Sequence, residues 1–273
     1  MARALFLRIL KKRLRRIRQT AARPDRLCRD SRALHTFRVA LKRWRAQLRL
    51  LRAVDPAFPY QEVYEPFKAI FSTAGDIRFW QLQGIFLHGA TGVPDAFIKF
   101  YHSWIRQHVR DARSEFRQVL RAADLPRWRD IKAELRESAE RCNPATLGAY
   151  FKRLQEAAEA CRPGGGAVSA RQELHELRKI LKEYGINRRY AARCWAFDPG
   201  EAVPGLPLDH TAADELLGAW HDLDAAGSQL ANDRRQQAWP ANRQAGGAPL
   251  AAAWQRREKA LLREVKRAFR KSR

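Results

Sequence analysis

The sequence predicts an all-α protein. Apolar residues recur at steps of three and four almost throughout, and no stretch shows the period-two alternation of a strand. The periodic segments are cut by Pro, Gly and Asp at regular intervals. One helical pattern also returns 140 residues further along the same chain, from His35 to His175, which marks an internal duplication.

The elements follow in order. Leu5, Phe6, Ile9, Leu10, Leu14 and Ile17 form one apolar stripe of a first helix. Asp30-Ser31 offers an N-cap to a long helix that runs to about Ala53, with Pro56 and Pro59 soon after its end. Further helices are expected over 60–73, 75–88, 95–122, 127–141, 145–160, 169–192, 212–237 and 249–270. Their boundaries are Gly92-Pro94, Asp124-Pro126, Asn143-Pro144, the PGGG run at 163–166, DPGEAVPGLP at 198–207 and GGAP at 246–249. The glycine run is the expected joint between two halves, 1–142 and 167–273, so that 143–166 is a connecting helix and linker.

Composition narrows the function. The 273 residues hold 53 Lys+Arg against 29 Asp+Glu, a net charge of +24. Such a charge attracts polyanions and says nothing about fold. It is concentrated at one end: residues 1–53 carry 15 Arg and 3 Lys against Asp25 and Asp30. Cys28, Cys142, Cys161 and Cys194 are scattered, with no C-x-x-C pair, and read as reduced thiols of a cytoplasmic protein. Arginines interrupt the apolar positions of the first twenty residues, which is not a secretory signal, and no run is long enough to span a membrane.

The residues with chemistry lie in LHTFRVALKRWRAQLRLL, 34–51. On a helical wheel His35, Arg38, Lys42, Arg45 and Arg49 share an arc of roughly 80°. Leu34, Phe37, Leu41, Trp44, Leu48 and Leu51 fill the next arc, so a ridge of cations about 20 Å long borders a packing face. In 173–190, His175, Arg178, Lys182 and Arg189 repeat the ridge, and Leu174, Leu177, Leu181 and Tyr184 repeat the packing face. A second pair supports the duplication. Gly75-Asp76-Ile77-Arg78 follows His35 by 40 residues, and Gly218-Ala219-Trp220-His221 follows His175 by 43.

These motifs resemble the conserved histidine α-helical domain, the CHAD family. Its first motif, H-x-x-R-V-x-x-R/K-R-x-R, is matched by His35, Arg38, Val39, Lys42, Arg43 and Arg45. Its later motif, H-x-x-R-K-x-x-K-x-x-R-Y, is matched by His175, Arg178, Lys179 and Lys182. The family's G-x-x-R-D and G-x-x-H-D segments resemble Gly75–Arg78 and Gly218–Asp222. The resemblance implies two helical bundles related by a pseudo-twofold axis, with the basic helices facing a shared groove or pore. The implied ligand is inorganic polyphosphate, and the implied location is the cytoplasm, on polyphosphate or storage granules. Three departures thin the second basic surface: Gly185 where Arg is expected, Glu183 opposite the Arg43 position, and Arg189-Tyr190 one turn late. In the first half, Phe79 replaces the Asp after Arg78.

The expected site is therefore His35, Arg38, Lys42, Arg43, Arg45, Arg49, His175, Arg178, Lys179, Lys182 and Arg189. A bare phosphate chain suits guanidinium forks and ammonium point charges, and Trp44 and Tyr184 fall on the packing arc rather than the basic one. Nucleic acid stays open as a second and weaker ligand. An enzyme is not expected. There is no G-x-x-x-x-G-K-[ST] loop, no E-x-E-x-K, and no H-x-x-x-H or H-E-x-x-H to hold a metal, so no cofactor is implied. The N-terminal run Lys11 to Arg18 reads as a solvated basic face, with an anionic membrane surface as the alternative.

Overall fold

The computed structural model describes residues 1–161, 170–200 and 210–270. Among these residues the only regular elements are helices: α1 (Ala2–Ala21), α2 (Pro24–Arg29), α3 (Ser31–Val54), α4 (Tyr60–His88), α5 (Asp95–Ala122), α6 (Trp128–Glu140), α7 (Pro144–Ala160), α8 (Ala170–Trp195), α9 (His210–Arg235), α10 (Ala241–Gln244) and α11 (Gly247–Arg270). The glycine run and most of the 198–207 segment lie outside the described residues.

The expected start of α3 is borne out. Asp30 Oδ1 accepts from the backbone N–H of Arg32 at 2.9 Å and of Ala33 at 3.0 Å, satisfying two of the donors that a helix start leaves unpaired. The expected break at 73–75 does not occur. Residues 60–88 form one helix, α4, which runs through both Pro66 and Gly75. A helical glycine costs about 1 kcal/mol relative to alanine. That is less than the burial of Phe67, Ile70, Ala74 and Ile77 on one face of α4 returns. The two short helices α2 and α10 escaped the periodicity, being only 6 and 4 residues long.

α4 and α5 fold back on each other. Trp80 stacks on His108 at 4.1 Å between ring centroids, and His88 meets His102 at 5.8 Å, so numbers rise on one helix as they fall on the other. α9 and α11 form a second pair, and α4 touches α9. One core joins α1, α3, the first half of α4, the second half of α5, α6, α7, α8 and the start of α9. Leu34, Phe37, Leu41 and Trp44 of α3 and Leu174, Leu177, Leu181 and Tyr184 of α8 are all within it, as both wheels require. A smaller aromatic core around Tyr101, Trp239 and Trp254 joins the far ends of the two pairs. α3 and α8 meet where Asn187 Nδ2 donates to Ala46 O at 2.9 Å. Their basic arcs, adjoining the buried ones, are thereby left facing each other.

Candidate functional site

Between these arcs lies a groove of about 810 Å³. α3 lines it with His35, Arg38, Lys42, Arg45 and Arg49, and α8 with Arg178, Lys179 and Lys182. α4 adds Arg78, and α9 adds His221 and Asp222. Eight Lys and Arg side chains thus face three carboxylates, those of Glu176, Glu183 and Asp222.

Three expected residues stand elsewhere. Arg43 is exposed on the opposite flank of α3, where its charge acts on Arg13 of α1. Arg189 is exposed just past the Ala46–Asn187 crossing, where α8 runs over α1 and Tyr190 accepts a hydrogen bond from Arg13. The wheel places Arg189 with Arg178, but the groove ends where the two helices diverge. His175 stands behind the groove wall rather than on it. Its Nδ1 meets Nδ1 of His221 at 2.8 Å, and its Nε2 meets Asp224 Oδ2 at 3.1 Å. Arg78 and His221 line the groove although neither belonged to the expected site. Their signal was present in the repeated Gly-x-x-Arg and Gly-x-x-His segments.

The glycines of those segments have a steric purpose. A Cβ on Gly75 would stand 2.8 Å from Arg38 Nη1, so the guanidinium lies across the bare backbone of α4. The equivalent Cβ on Gly218 would stand 3.9 Å from Arg178 Nε. Each helix pair therefore packs an arginine of its basic helix onto a glycine of the next. Arg38 is further fixed by donating to Phe71 O at 3.0 Å and by lying 4.9 Å above the Phe71 ring. Its remaining N–H groups are left to the groove.

The charges crowd one another. Burial pushes the half-buried Lys42 ammonium down to about 8, with Lys182, Arg38 and Arg178 adding to the effect. Burial, with Arg78 and Lys42, also lowers His35. His221 is pushed down to about 3 by burial and then by Arg178, so it is a neutral imidazole at physiological pH. Some cations have internal partners: Arg49 pairs with Glu183 at 2.8 Å, Lys179 with Glu176 at 2.6 Å, and Lys182 with Asp214 at 3.1 Å. Lys42, Arg78 and Arg178 make no ion pair with the described residues. Glu183 is also held by the Tyr150 hydroxyl at 2.9 Å, so the acid that departs from the motif neutralises one end of the groove.

A second hollow of about 740 Å³ lies on the opposite side of α3, ringed by Arg16, Arg23, Arg26 and Arg32. All four arginines are exposed. The groove is the better candidate because its cations are partly desolvated and come from three helices, α3, α4 and α8. Among the described residues, no cluster of His, Cys, Asp and Glu is placed to hold a metal ion, and no helix is long and apolar enough to cross a membrane.

Fold and site together define an all-helical protein with a cation-lined groove between two like helix pairs. The chain belongs to the CHAD domain family, whose model matches residues 8–231. The crystal structure of the CHAD domain from the plant Ricinus communis is similar to it at 19% identity, with a TM-score of 0.68, covering 99% of this chain and 92% of that one. PptA from Streptomyces chartreusis is similar at 17% identity, with a TM-score of 0.62, covering 96% and 98%. No curated protein matches the sequence significantly.

Proposed function

We propose that the groove binds inorganic polyphosphate, and that the protein is a polyphosphate-binding scaffold rather than an enzyme. The observation that carries this reading is the convergence of eight cations on one open groove, with Lys42 held well below its ordinary value by burial and then by its cationic neighbours. Five of the eight, Arg38, Lys42, Arg45, Arg78 and Arg178, make no ion pair among the described residues, and their crowding stores repulsion that a continuous polyanion relieves along its length. The family membership supports the same ligand. The halves 1–142 and 167–273 would each supply one wall. A place on cytoplasmic polyphosphate granules belongs to this proposal, as does the non-catalytic role. Two of the three groove carboxylates, Glu176 and Glu183, are already paired with Lys179 and Arg49.

Nucleic acid is the second reading. Single strands are bound by stacking bases on aromatic faces as well as by cations. Phe71 and Phe79 line the groove, but the Phe71 ring is covered by Arg38. The test is competition: polyphosphate should displace bound RNA or DNA at far lower phosphate concentration than the reverse. Displacement that is equally easy in both directions would remove the preference for a bare phosphate chain.

A further inference from the structure

Behind the groove wall three titratable groups stand in a row: the carboxylate of Asp224, the imidazole of His175, and the imidazole of His221. Only His221 reaches the groove. Asp224 is buried, and the His175 ring lies 4.9 Å from that of Trp220. We propose that this row is a proton relay that turns His221 into a hydrogen-bond donor to the bound chain, taking up one proton as the polyanion enters. The proposal rests on the polyphosphate reading and deepens it.

The argument is one of proton placement. Two imidazole nitrogens 2.8 Å apart hold a single proton between them, one donating and the other accepting. With Asp224 ionised, His175 must donate to it from Nε2, so a neutral His175 has a bare Nδ1. His221 must then donate from its own Nδ1, and its remaining nitrogen, Nε2, is a lone pair. A lone pair repels a phosphate oxygen. Adding one proton between Asp224 and His175 reverses the row: His175 donates from Nδ1, His221 accepts there, and His221 carries its proton on Nε2. The row holds two protons before and three after, and its charge goes from −1 to zero. No bond but N–H or O–H changes.

The surroundings favour this change more when the groove is filled. Arg178 and Lys179 of α8 and Lys42 of α3 act on His221. Arg171 of α8 lies 2.5 Å from Asp224 and 2.9 Å from Glu258 of α11, and Asp222 of α9 lines the groove beside His221. Burial raises the Asp224 carboxyl above its ordinary value against the pull of Arg171, which makes it the place to receive a proton; the groove cations oppose that proton, and a polyanion neutralises them. His221 itself stays neutral, so its donor capacity comes from tautomer and not from charge. In the first half, Arg78 stands at the matching motif position, a permanent donor that requires no proton.

Calorimetric titration with polyphosphate at neutral pH, repeated in buffers of different ionisation heat, reads the protons taken up. The wild type should take up one proton more than Asp224→Asn. In that variant the amide N–H₂ can donate to His175 Nε2 and set the donor tautomer without a proton, so it should bind as tightly as the wild type and with a flatter pH profile. His35 and Lys42 contribute equally to both proteins and cancel. Histidine ring ¹⁵N spectra of the wild type give a second reading that no substitution can disturb. The His221 proton should move from Nδ1 in the free protein to Nε2 with polyphosphate. Equal uptake by both proteins, or an Nε2 proton already present in the free protein, overturns the relay while leaving polyphosphate binding intact. Absence of binding by the wild type sinks the functional reading, and the relay with it.

Discussion

Arg38 is held in the groove by three contacts: it is set on Gly75, tied to Phe71 O and stacked on the Phe71 ring. Losing a charge-assisted hydrogen bond costs on the order of 1.5–3 kcal/mol. Arg38→Ala and Arg45→Ala should therefore each weaken polyphosphate binding about tenfold or more. The pair Lys132→Ala and Arg136→Ala, equal in charge but on exposed positions of α6, should change it little. Equal losses for both pairs in the same titration would reduce the protein to a sticky basic surface. Gly75→Ala separates binding from stability. Alanine favours the helix by about 0.5–1 kcal/mol, but its Cβ must push Arg38 Nη1 aside. Stability should stay within about 1 kcal/mol of wild type by denaturant melts, while affinity falls severalfold. Lys42 links the groove to pH. Its folded value of about 8 lies below the ordinary 10.5, so between those values the unfolded chain holds the extra proton. The contribution of this group to stability thus rises with pH through that window. At neutral pH its charged form costs on the order of 3 kcal/mol. Binding has the opposite sign, because the ligand requires the charged form. Affinity should fall as pH rises past about 8, and Lys42→Met should stabilise the empty protein at neutral pH while weakening binding.

At the scale of elements, α3 and α8 divide their labour by face. Trp44 is fully buried, 5.7 Å from the Phe67 ring, one residue before the groove cation Arg45. Trp44→Ala should cost about 3–5 kcal/mol of stability. A thermal melt at the temperature of a binding assay would show whether the surviving folded fraction still binds, as expected if the two faces act independently. The continuity of α4 matters for the same site. A break at residue 74 would have freed Gly75 and Arg78 to reorient. A single helix instead fixes both on the side that Arg38 and His35 meet.

For the molecule as a whole, the proposed binding adds many partial contacts along one ligand. Each phosphate neutralised releases counterions, so log affinity should fall steeply with log salt; the slope of about −0.9 per contact on duplex DNA is a guide. Orthophosphate and pyrophosphate reach only one or two cations, whereas a long chain engages them in succession without a new association cost each time. Titrations from low to physiological salt, and across chain lengths, check both. A flat salt response, or equal affinity for pyrophosphate and a long chain, would point to a compact site instead.

The sequence by itself determined the helical class, most helix bodies, and the two basic ridges with their packing faces, because a 3.6-residue period is local and each wheel can be drawn from one segment. It also carried the family motifs, including the glycines whose purpose appeared only when Arg38 and Arg178 were seen lying over them. What tertiary structure alone decided was where the ridges meet and end. Arg189 carries the right charge in the right register, yet it falls outside the groove because α1 passes beneath the crossing of α3 and α8; Arg43, which only the family motif put forward, lies off the basic arc on the wheel itself and faces Arg13 of α1 instead. Arg78 and His221 enter it, and His175 withdraws behind it, because α4 and α9 bring side chains from 40 or more residues away against the ridges. A wheel records which way a side chain leaves its own helix; the space it enters is made by the helices packed around it.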